Sequence, residues 1–328
     1  TLGESRKALE LHEQALVVDL LLGDQSSEAT TLNNIGHVWF GLGELRRALG
    51  FYERALTLDL ASGDHGSRAI TLINIGLTLS ALGEKHQAIE YYEQALTLTR
   101  AAGDLGGEAA TLNNIGLAWS ELGEKRQAIE YYEQALPVFR TVGDRVGEAT
   151  TLNNIGSAWS ALRDPRRALE FYEQVLPLRR AVGDRGGEAI TMSNIGMAWR
   201  QLRESRRALE YYAQALPVFR AMGDRRGEAT TLNNMGSIHC SEGDLLKAVE
   251  VFQLAIQIVQ EIGIAASEAL YLINIAIVYQ LMGRKDDAIR ATEAGRAILV
   301  CYNLPQNAGG ATLAHYDGLL AQLRGGGS

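Results

Sequence analysis

The chain has 328 residues, of which 46% are hydrophobic, 21% are charged and 7% are aromatic. Its 39 acidic and 31 basic residues give a net charge of −8, which argues against a nucleic-acid binder that is cationic throughout, and the hydrophobic share excludes a disordered acidic tail. The sequence shows no run of about 18 apolar residues and no charged-then-apolar leader, so it predicts neither a membrane span nor a signal peptide.

The chain repeats itself with a period of 40 residues. The segment Thr-Leu-Asn-Asn-Ile-Gly occupies residues 111–116 and 151–156, and it recurs with small changes in five further copies, at 31–36, 71–76, 191–196, 231–236 and 271–276. Gly-Asp pairs keep the same period from residues 23–24 to 223–224. A fixed period of this length indicates an array of small units rather than two compact domains.

The first segment, residues 1–24, is predicted to be the second helix of a truncated unit. Residues 1–4 match a turn within the unit, so we expect the helix over residues 4–22. Seven complete units follow over residues 25–302. Because the array starts within a unit and without methionine, the sequence suggests a fragment of a longer protein.

The last segment, residues 303–324, departs from the repeat. A break at residues 303–310 leads to a helix predicted over 311–323, which we expect to cap the stack by covering an otherwise exposed face. The final residues, 325–328, read Gly-Gly-Gly-Ser and are interpreted as a linker scar.

Within one unit the spacing of the apolar residues predicts two helices. In the third complete unit a first helix, called the A helix, has an apolar face made by Leu112, Ile115, Gly116 and Trp119. A longer B helix has a face made by Ala128, Ile129, Tyr132, Ala135, Leu136 and Phe139. Gly123 and Gly143 are predicted to end these helices in the left-handed conformation, with Asp144 capping the next A helix. Each unit is therefore predicted to be a helical hairpin, and the fold class all-α.

Two kinds of residue break this pattern. Arg163 and Arg203 replace the glycine of the turn, which predicts a strained or differently shaped turn, because an arginine at positive φ costs roughly 1 kcal/mol. After the first of them, Asp164-Pro165 is predicted to form an N-cap followed by proline at the first helical position. Three prolines fall inside B helices and should bend them: Pro137, Pro177 and Pro217.

The motif residues carry a family resemblance. The order Leu112, Ile115-Gly116, Trp119, Gly123, Ala128, Tyr132 and Ala135 resembles the signature of the tetratricopeptide repeat (TPR). The 40-residue period, in place of the usual 34, and the leucine in place of the first tryptophan look like the long type found in kinesin light chains and in bacterial arrays attached to CHAT or STAND proteins. The resemblance covers nearly the whole chain. It implies a right-handed superhelical α-solenoid of antiparallel helix hairpins.

The resemblance also implies a concave groove lined by the A helices. In the family the groove-facing places are the second, fifth, ninth, twelfth and thirteenth, with Leu112 as the fourth. The predicted peptide-binding residues of the fifth place are Asn33, Asn113, Asn153, Ser193 and Asn233; those of the ninth are His37, Ser157, Met197 and Ser237; those of the twelfth are Ser120, Ser160 and Arg200. Asparagine amides suit the backbone of a peptide, because they both donate and accept.

The sixth place of the motif is always asparagine. It holds Asn34, Asn74, Asn114, Asn154, Asn194, Asn234 and Asn274. Two interpretations stay open for these residues: a structural role in the stack, which we favour, or a peptide-binding ladder. For the fifth-place asparagines, which vary among the units, we favour the binding role instead. The tryptophans of the motif, Trp39, Trp119, Trp159 and Trp199, are expected in the core.

Arginine is concentrated in one part of the chain. Residues 140–226 contain 15 arginines, no lysine and 10 acidic residues. Six of these arginines gather at two successive turns and are predicted to form one basic rim: Arg163, Arg166, Arg167, Arg203, Arg206 and Arg207. The rim is either a solvated edge or a dock for an acidic partner, since arginine binds carboxylates through two parallel hydrogen bonds. The sequence argues against nucleic acid as a partner, because no aromatic residues alternate with these arginines.

No catalytic, cofactor or metal-binding motif is present. The sequence contains no phosphate-binding loop, no HExxH, no GxSxG and no metal-spaced set of cysteines and histidines. His239 and Cys240 are adjacent on a helix and so do not face each other as a base and a nucleophile would. The sequence therefore predicts a chain that is not an enzyme and needs no cofactor or metal.

Three functions remain open. The favoured one is a scaffold that binds a protein or peptide segment in the groove. The second is the sensor or regulatory part of a larger bacterial effector, of the CHAT or STAND kind, whose partner is a domain of the same polypeptide. The third is an array that assembles end to end through the helix at residues 4–22. With only Cys240 and Cys301 and no membrane segment, a cytoplasmic location is expected.

Overall fold

The computed structural model describes residues 2–325, and within that range the structure consists of α-helices joined by short turns, with no strand. The helices are α1 (Leu2–Leu22), α2 (Gln25–Gly41), α3 (Leu45–Ser62), α4 (His65–Leu82), α5 (Lys85–Ala102), α6 (Leu105–Glu121), α7 (Lys125–Val142), α8 (Arg145–Ala161), α9 (Pro165–Ala181), α10 (Arg185–Gln201), α11 (Ser205–Met222), α12 (Arg225–Ser241), α13 (Leu245–Glu261), α14 (Ala265–Leu281), α15 (Lys285–Cys301) and α16 (Leu313–Gly325).

The helices form two compact units, Thr1–Leu178 and Arg179–Ser328. In both units an even-numbered A helix, from α2 to α14, is followed by an odd-numbered B helix, from α3 to α15, and the two pack as a hairpin. Each B helix of the first unit from α3 to α7 also contacts the A helix of the next hairpin. The predicted α-solenoid of helical hairpins is thus confirmed.

A glycine and a tyrosine mark the closest approach of the two helices in a hairpin. Gly116 of α6 lies against the ring of Tyr132 on α7, so close that a Cβ on the glycine would be 2.6 Å from Tyr132 Cε1. Tyr132 is 1% exposed, and the same pairing recurs at Gly36–Tyr52, Gly76–Tyr92, Gly156–Tyr172 and Gly196–Tyr212. Only glycine lets the backbone of the A helix touch the aromatic ring, which explains its recurrence in the motif.

The turns follow the sequence prediction. Gly123 has φ of 94° and Gly143 has φ of 72°, both in the left-handed region. Asp144 caps α8, because its carboxylate accepts hydrogen bonds from the backbone N–H groups of Val146 and Gly147 at 3.1 and 2.9 Å. These caps satisfy backbone groups that the helix itself leaves unpaired, so each hairpin ends in a sharp turn.

Arg163 and Arg203 keep the turn shape of the glycines that they replace. Their φ angles are 61° and 62°, so the turns are not differently shaped and both arginines hold the left-handed conformation. The backbone N–H of Arg163 still donates to the carbonyl of Ser160 at 3.1 Å, as in the glycine turns. The sequence predicts either a strained turn or a differently shaped one, and the structure contains the strained turn.

Replacing Arg163 with glycine is expected to stabilise the chain by about 1 kcal/mol, since glycine adopts positive φ without strain. The matched control is Arg166→Gly, which places the same substitution inside α9 and should destabilise it by about 0.5–1 kcal/mol. Urea denaturation followed by circular dichroism measures both free energies. If the two variants change the free energy of unfolding in the same direction, strain in the left-handed conformation of Arg163 does not explain the effect of Arg163→Gly.

The prolines have the two roles expected from their positions. Pro165 is the first residue of α9, and the Asp164 carboxylate accepts from the backbone N–H of Arg167 at 3.2 Å, as an N-cap does. Pro137, Pro177 and Pro217 lie inside α7, α9 and α11, which continue through them. The bend at these prolines remains a prediction.

Both ends differ in detail from the predicted bounds. α1 begins at Leu2, so residues 2–4 are helical and do not form the predicted turn, while Thr1 lies outside the described residues. α16 covers Leu313–Gly325, two residues later than predicted at each end, so Gly325 of the predicted linker scar is helical. Residues 326–328 of that predicted scar lie outside the described range.

The C-terminal helix packs on the last hairpin. The buried Tyr316 of α16 lies against Gly295 of α15, and its hydroxyl donates to the Ala269 carbonyl at 2.6 Å. Asn307, in the connection before α16, donates from Nδ2 to Tyr316 Oη at 2.8 Å. The helix thus covers one face of α15, and its role as a cap of the stack stays a prediction.

Candidate functional site

The A helices form the inner side of each unit. Successive A helices contact one another, as α2 and α4 or α4 and α6 do in the first unit and α10 and α12 do in the second. Within residues 2–325, successive B helices make no comparable contact. Because the hairpins approach each other more closely on the A side, we infer that each unit curves toward this side. The exposed face of its A helices, called the concave face, is the candidate site.

The asparagines of the fifth and sixth places connect neighbouring hairpins. The sixth-place Asn74 donates from Nδ2 to Asn33 Oδ1 at 3.3 Å, and Asn154 donates in the same way to Asn113 Oδ1 at 3.4 Å. In the second unit Asn274 donates to Asn233 Oδ1 at 2.9 Å. Each pair spans 41 residues of sequence, so the amide ladder runs between A helices and contributes to the stacking of hairpins.

The fifth-place residues differ in exposure. Asn33 and Asn233 are buried, 9% and 8% exposed, and Asn33 Nδ2 also donates to Thr71 Oγ1 at 2.7 Å. Asn113, Asn153 and Ser193 are half-buried. Peptide binding by these residues stays a prediction, and the half-buried ones are the better placed for it.

The ninth and twelfth places are mixed in exposure. His37, Ser157 and Arg200 are exposed, Met197, Ser237 and Ser120 are half-buried, and Ser160 is buried. Several hydroxyls already have partners within their own hairpin, such as Ser157 Oγ, which lies 3.2 Å from Tyr172 Oη, and Ser120 Oγ, which accepts from Lys125 Nζ at 2.9 Å. Burial raises the pKa of Tyr172 to about 12, so its hydroxyl stays protonated at neutral pH.

Large apolar side chains on the concave face are a feature that the sequence reasoning did not single out. Ile70 is 60% exposed and Ile190 is 48% exposed, and both occupy the second place. Leu77, Leu117 and Ile277 occupy the ninth place and are exposed as well. Isolated exposed apolar residues are common, but these recur at the two places that face away from the core of the hairpin. The sequence could have indicated these residues, because the family assigns the second and ninth places to the groove.

The second unit has a cleft on this face. It measures about 240 Å³ and lies where α10, the end of α11 and the start of α12 meet. Its lining residues are Ile190, Ser193, Asn194, Phe219, Asp224, Arg226, Gly227 and Thr230. Two of them, Ile190 and Ser193, are at groove-facing places of α10, and Arg226 is an exposed cation at the edge. The cleft has the volume of one large side chain and an apolar wall that can receive it.

The predicted rim arginines have varied surroundings. In the first unit the Arg167 guanidinium lies 4.4 Å from the Trp159 ring centre and also pairs with Asp164. In the second unit Arg207 lies 4.5 Å from the Trp199 ring centre. Arg163, Arg166 and Arg203 are exposed and form no ion pair with any other described residue. The acidic-partner role of these arginines remains a prediction.

The tryptophans lie at the edge of the core rather than inside it. Trp39, Trp119, Trp159 and Trp199 are half-buried, so the expectation of core residues is only partly met. Trp39, like Trp159 and Trp199, carries an arginine over its ring, in this case Arg47 at 4.8 Å. The cation covers the face of the indole that packing leaves open.

No catalytic arrangement is visible in the described part of the chain. Those residues contain no group of three or more histidine, cysteine or acidic side chains placed to hold a metal ion. Cys240 is half-buried, and this burial raises the pKa of its thiol, which lowers the thiolate fraction that a nucleophile needs. None of the helices in the described range is both long and apolar enough to span a lipid bilayer.

Comparison with known protein families gives one match. The tetratricopeptide repeat model matches residues 27–101, 67–141, 107–181, 147–221 and 227–299, which together cover most of the chain. No curated protein matches the chain in sequence.

Solved structures with the same fold come from several organisms. A STAND protein with a tetratricopeptide repeat sensor from Pyrococcus horikoshii is 17% identical, with a TM-score of 0.73 over 92% of this chain and 48% of that protein. Aspartyl phosphate phosphatase F from Bacillus subtilis is 12% identical, with a TM-score of 0.66 over 86% of this chain and 73% of that protein. A structure of kinesin-light-chain repeats from Podosopora anserina, whose repeats are nearly identical to one another, is 15% identical to this chain. Its TM-score is 0.53 over 61% of this chain and 99% of that protein. At these identities the likeness extends to the fold alone.

Proposed function

Since this chain belongs to the tetratricopeptide repeat family, we propose that it is a non-catalytic scaffold that binds a protein or peptide segment on the concave face of its A helices. One observation carries the proposal. Exposed apolar side chains recur at the second and ninth places of the A helices, and in the second unit one of them, Ile190, lines a cleft of about 240 Å³. Covering such residues with a partner removes apolar surface from water, which favours association.

The first unit offers a continuous apolar stripe for this purpose. Ile70, Ile73 and Leu77 follow one another along one face of α4 at spacings of three and four residues, and Leu117 has the same place on the neighbouring α6 as Leu77 has on α4. The nearby charges are satisfied within the protein, since Glu121 pairs with Lys85. An apolar or uncharged polar segment therefore suits this face better than a charged one.

The triple variant Ile70→Ser, Leu77→Ser, Leu117→Ser is expected to lose at least about tenfold in affinity for a segment bound on this face, because each leucine or isoleucine contributes roughly 1 kcal/mol or more of buried apolar contact. The three side chains are exposed, so the fold should persist. The matched control is Leu60→Ser, Leu246→Ser, Leu254→Ser, which removes three exposed apolar side chains from B helices.

Affinity capture from the source lysate with the wild-type chain and both triple variants measures this effect. A protein retained by the wild type and by the control, and lost with the concave-face variant, supports the proposal. A partner that all three chains retain equally places its binding elsewhere. Alanine substitution of Asn113 and Asn233 is a poorer test, because it also removes hydrogen bonds between hairpins.

A second proposal, a sensor or regulatory part of a larger effector, draws on the STAND protein, whose printed description names a tetratricopeptide repeat sensor. This chain spans 48% of that protein's length, so an effector domain has room outside the matched part there. Under this proposal the same concave-face variant loses binding to a domain of its own polypeptide rather than to a separate protein. The identity of the captured partner distinguishes the two proposals.

A further inference from the structure

Two lysines occupy the same place in successive hairpins of the first unit. Lys85 is the first residue of α5, and Lys125 is the first residue of α7. Lys85 Nζ donates to Ser80 Oγ, at the twelfth place of α4, at 3.0 Å. Lys125 Nζ donates in the same way to Ser120 Oγ, at the twelfth place of α6, at 2.9 Å. Both lysines are half-buried, so the two cations are held alike at the edge of the concave face.

The following A helix differs between these two hairpins. Glu121, at the thirteenth place of α6, forms an ion pair with Lys85. Forty residues later the corresponding residue of α8 is Ala161, which is exposed. Among the described residues no carboxylate pairs with Lys125, whose other hydrogen bond is to the backbone carbonyl of Ser120. The second hairpin therefore repeats the site of the Lys85–Glu121 ion pair without the carboxylate.

The Lys125 ammonium group has a donor left for an anion. It carries three N–H groups, and Ser120 accepts from two of them through its carbonyl and its hydroxyl. A cation that is partly removed from water costs free energy unless an opposite charge or further acceptors surround it. A carboxylate is therefore favoured on the α8 side of Lys125, where Glu121 supplies one to Lys85 from α6.

The turn after α8 adds positive charge on this side. It contains three arginines and one carboxylate: Arg163, Arg166, Arg167 and Asp164. Asp164 already pairs with Arg167, whereas Arg163 and Arg166 are exposed and form no ion pair with any described residue. An anion that approaches Lys125 from the α8 side is therefore attracted by two further cations, and the one carboxylate of this turn is already paired.

We propose that Lys125 binds one aspartate or glutamate side chain of the segment on the concave face, in the position that Glu121 takes beside Lys85. This inference rests on the proposed function, since it assigns an acidic residue to a segment whose contacts with α4 and α6 are apolar or uncharged. The acidic residue lies over Ala161, one hairpin beyond the apolar stripe. It thereby fixes the register of the segment along the first unit.

The probe is a library of random peptides displayed on phage and selected against the whole chain. The enriched peptides are expected to carry aspartate or glutamate at one position, and replacing it with the matching amide should weaken binding at least about fivefold in fluorescence anisotropy. With the Lys125→Gln chain the same replacement should have no further effect, because the carboxylate then has no cation to pair with. This coupling identifies the ion pair and is insensitive to overall charge.

Two variants of the chain test the position of the carboxylate. Ala161→Glu supplies the missing carboxylate from α8, so it should pair with Lys125 and weaken binding of the acidic peptides at least about fivefold. The matched control is Ala81→Glu, which makes the same change at the thirteenth place of α4. Ala81 is exposed, and the place of Lys125 in the preceding hairpin is Leu45, so this variant should bind within about twofold of the wild type.

The outcomes separate this inference from the proposed function. If the peptides lose binding with the concave-face variant, but the effects of the peptide amide and of Lys125→Gln are independent, only the carboxylate site is wrong. Equal weakening by Ala81→Glu and Ala161→Glu has the same meaning. If the concave-face variant binds the peptides as well as the wild type does, or if no peptide is enriched, both proposals are overturned.

Discussion

Replacing Gly156 with alanine within the chain is expected to destabilise the first unit by about 2 kcal/mol, in the range of roughly 1–3 kcal/mol typical of overpacking. The added methyl would lie 2.6 Å from Cε1 and 2.8 Å from Cδ1 of Tyr172, a ring that is 1% exposed. The ring has little freedom to move, because its hydroxyl is 3.2 Å from Ser157 Oγ and the residue is buried between helices. The two helices of the hairpin must therefore separate.

The matched control is Gly50→Ala in α3, where a Cβ meets nothing within 4 Å and the residue is exposed. This substitution should stabilise the chain by about 0.5–1 kcal/mol, since alanine loses less conformational freedom in a helix than glycine. Because an array of repeats need not unfold in one step, thermal melts should be combined with amide hydrogen exchange over α8 and α9. Equal stabilities of the Gly156→Ala variant and the wild type would contradict the interpretation of this contact.

Replacing Asp59 with alanine is expected to cost about 2 kcal/mol, because it removes a buried hydrogen-bond acceptor. Asp59 of α3 is 2% exposed and its Oδ2 accepts from Thr71 Oγ1 of α4 at 2.6 Å. The same Thr71 hydroxyl accepts from Asn33 Nδ2 of α2 at 2.7 Å. One polar chain thus connects three helices of two hairpins, and its loss leaves the fully buried Thr71 with fewer partners.

A double-mutant cycle separates this interaction from general effects. Thr71→Val removes the other partner, and the double variant should be less destabilised than the sum of the single variants by about 1 kcal/mol. The matched control is Asp19→Ala, because Asp19 accepts from Thr31 Oγ1 at 2.7 Å in the preceding repeat but is only half-buried. Because Asp19 is only half-buried, Asp19→Ala is expected to lower the free energy of unfolding by less than Asp59→Ala does. Additive costs at Asp59 and Thr71 would show that the hydrogen bond does not couple them.

The concave face was only partly predictable from the sequence. The motif places located the A helices correctly, and counting 40 residues between copies gave the residues that face the groove in related repeats. The sequence reasoning emphasised asparagines such as Asn33 and Asn233, which the structure shows to be buried, and it did not single out the exposed Ile70 and Ile190. An asparagine side chain can donate and accept hydrogen bonds with a bound peptide or with a neighbouring helix equally well. The residue type alone therefore could not distinguish peptide binding from a structural role.

The arrangement within one hairpin was determined by the sequence alone. The 3.6-residue turn of the helix makes the spacing of Leu112, Ile115 and Gly116 sufficient to define a face, and a glycine before Asp144 is sufficient to define a turn and a cap. At Arg163 the sequence left a strained and a differently shaped turn as alternatives, and the structure shows the left-handed, strained one. These features depend on residues close together in the chain, whose geometry is set by the backbone.

The contacts between hairpins were decided only by the tertiary structure. Whether Asn74 reaches Asn33, or whether Asp59 is buried beneath Thr71, depends on how far one hairpin is rotated and shifted against the next. That rotation results from the packing of many side chains at once, and no spacing within a single repeat specifies it. The repeat therefore determines the hairpin, while packing between hairpins decides which of its polar and apolar residues remain open to a partner.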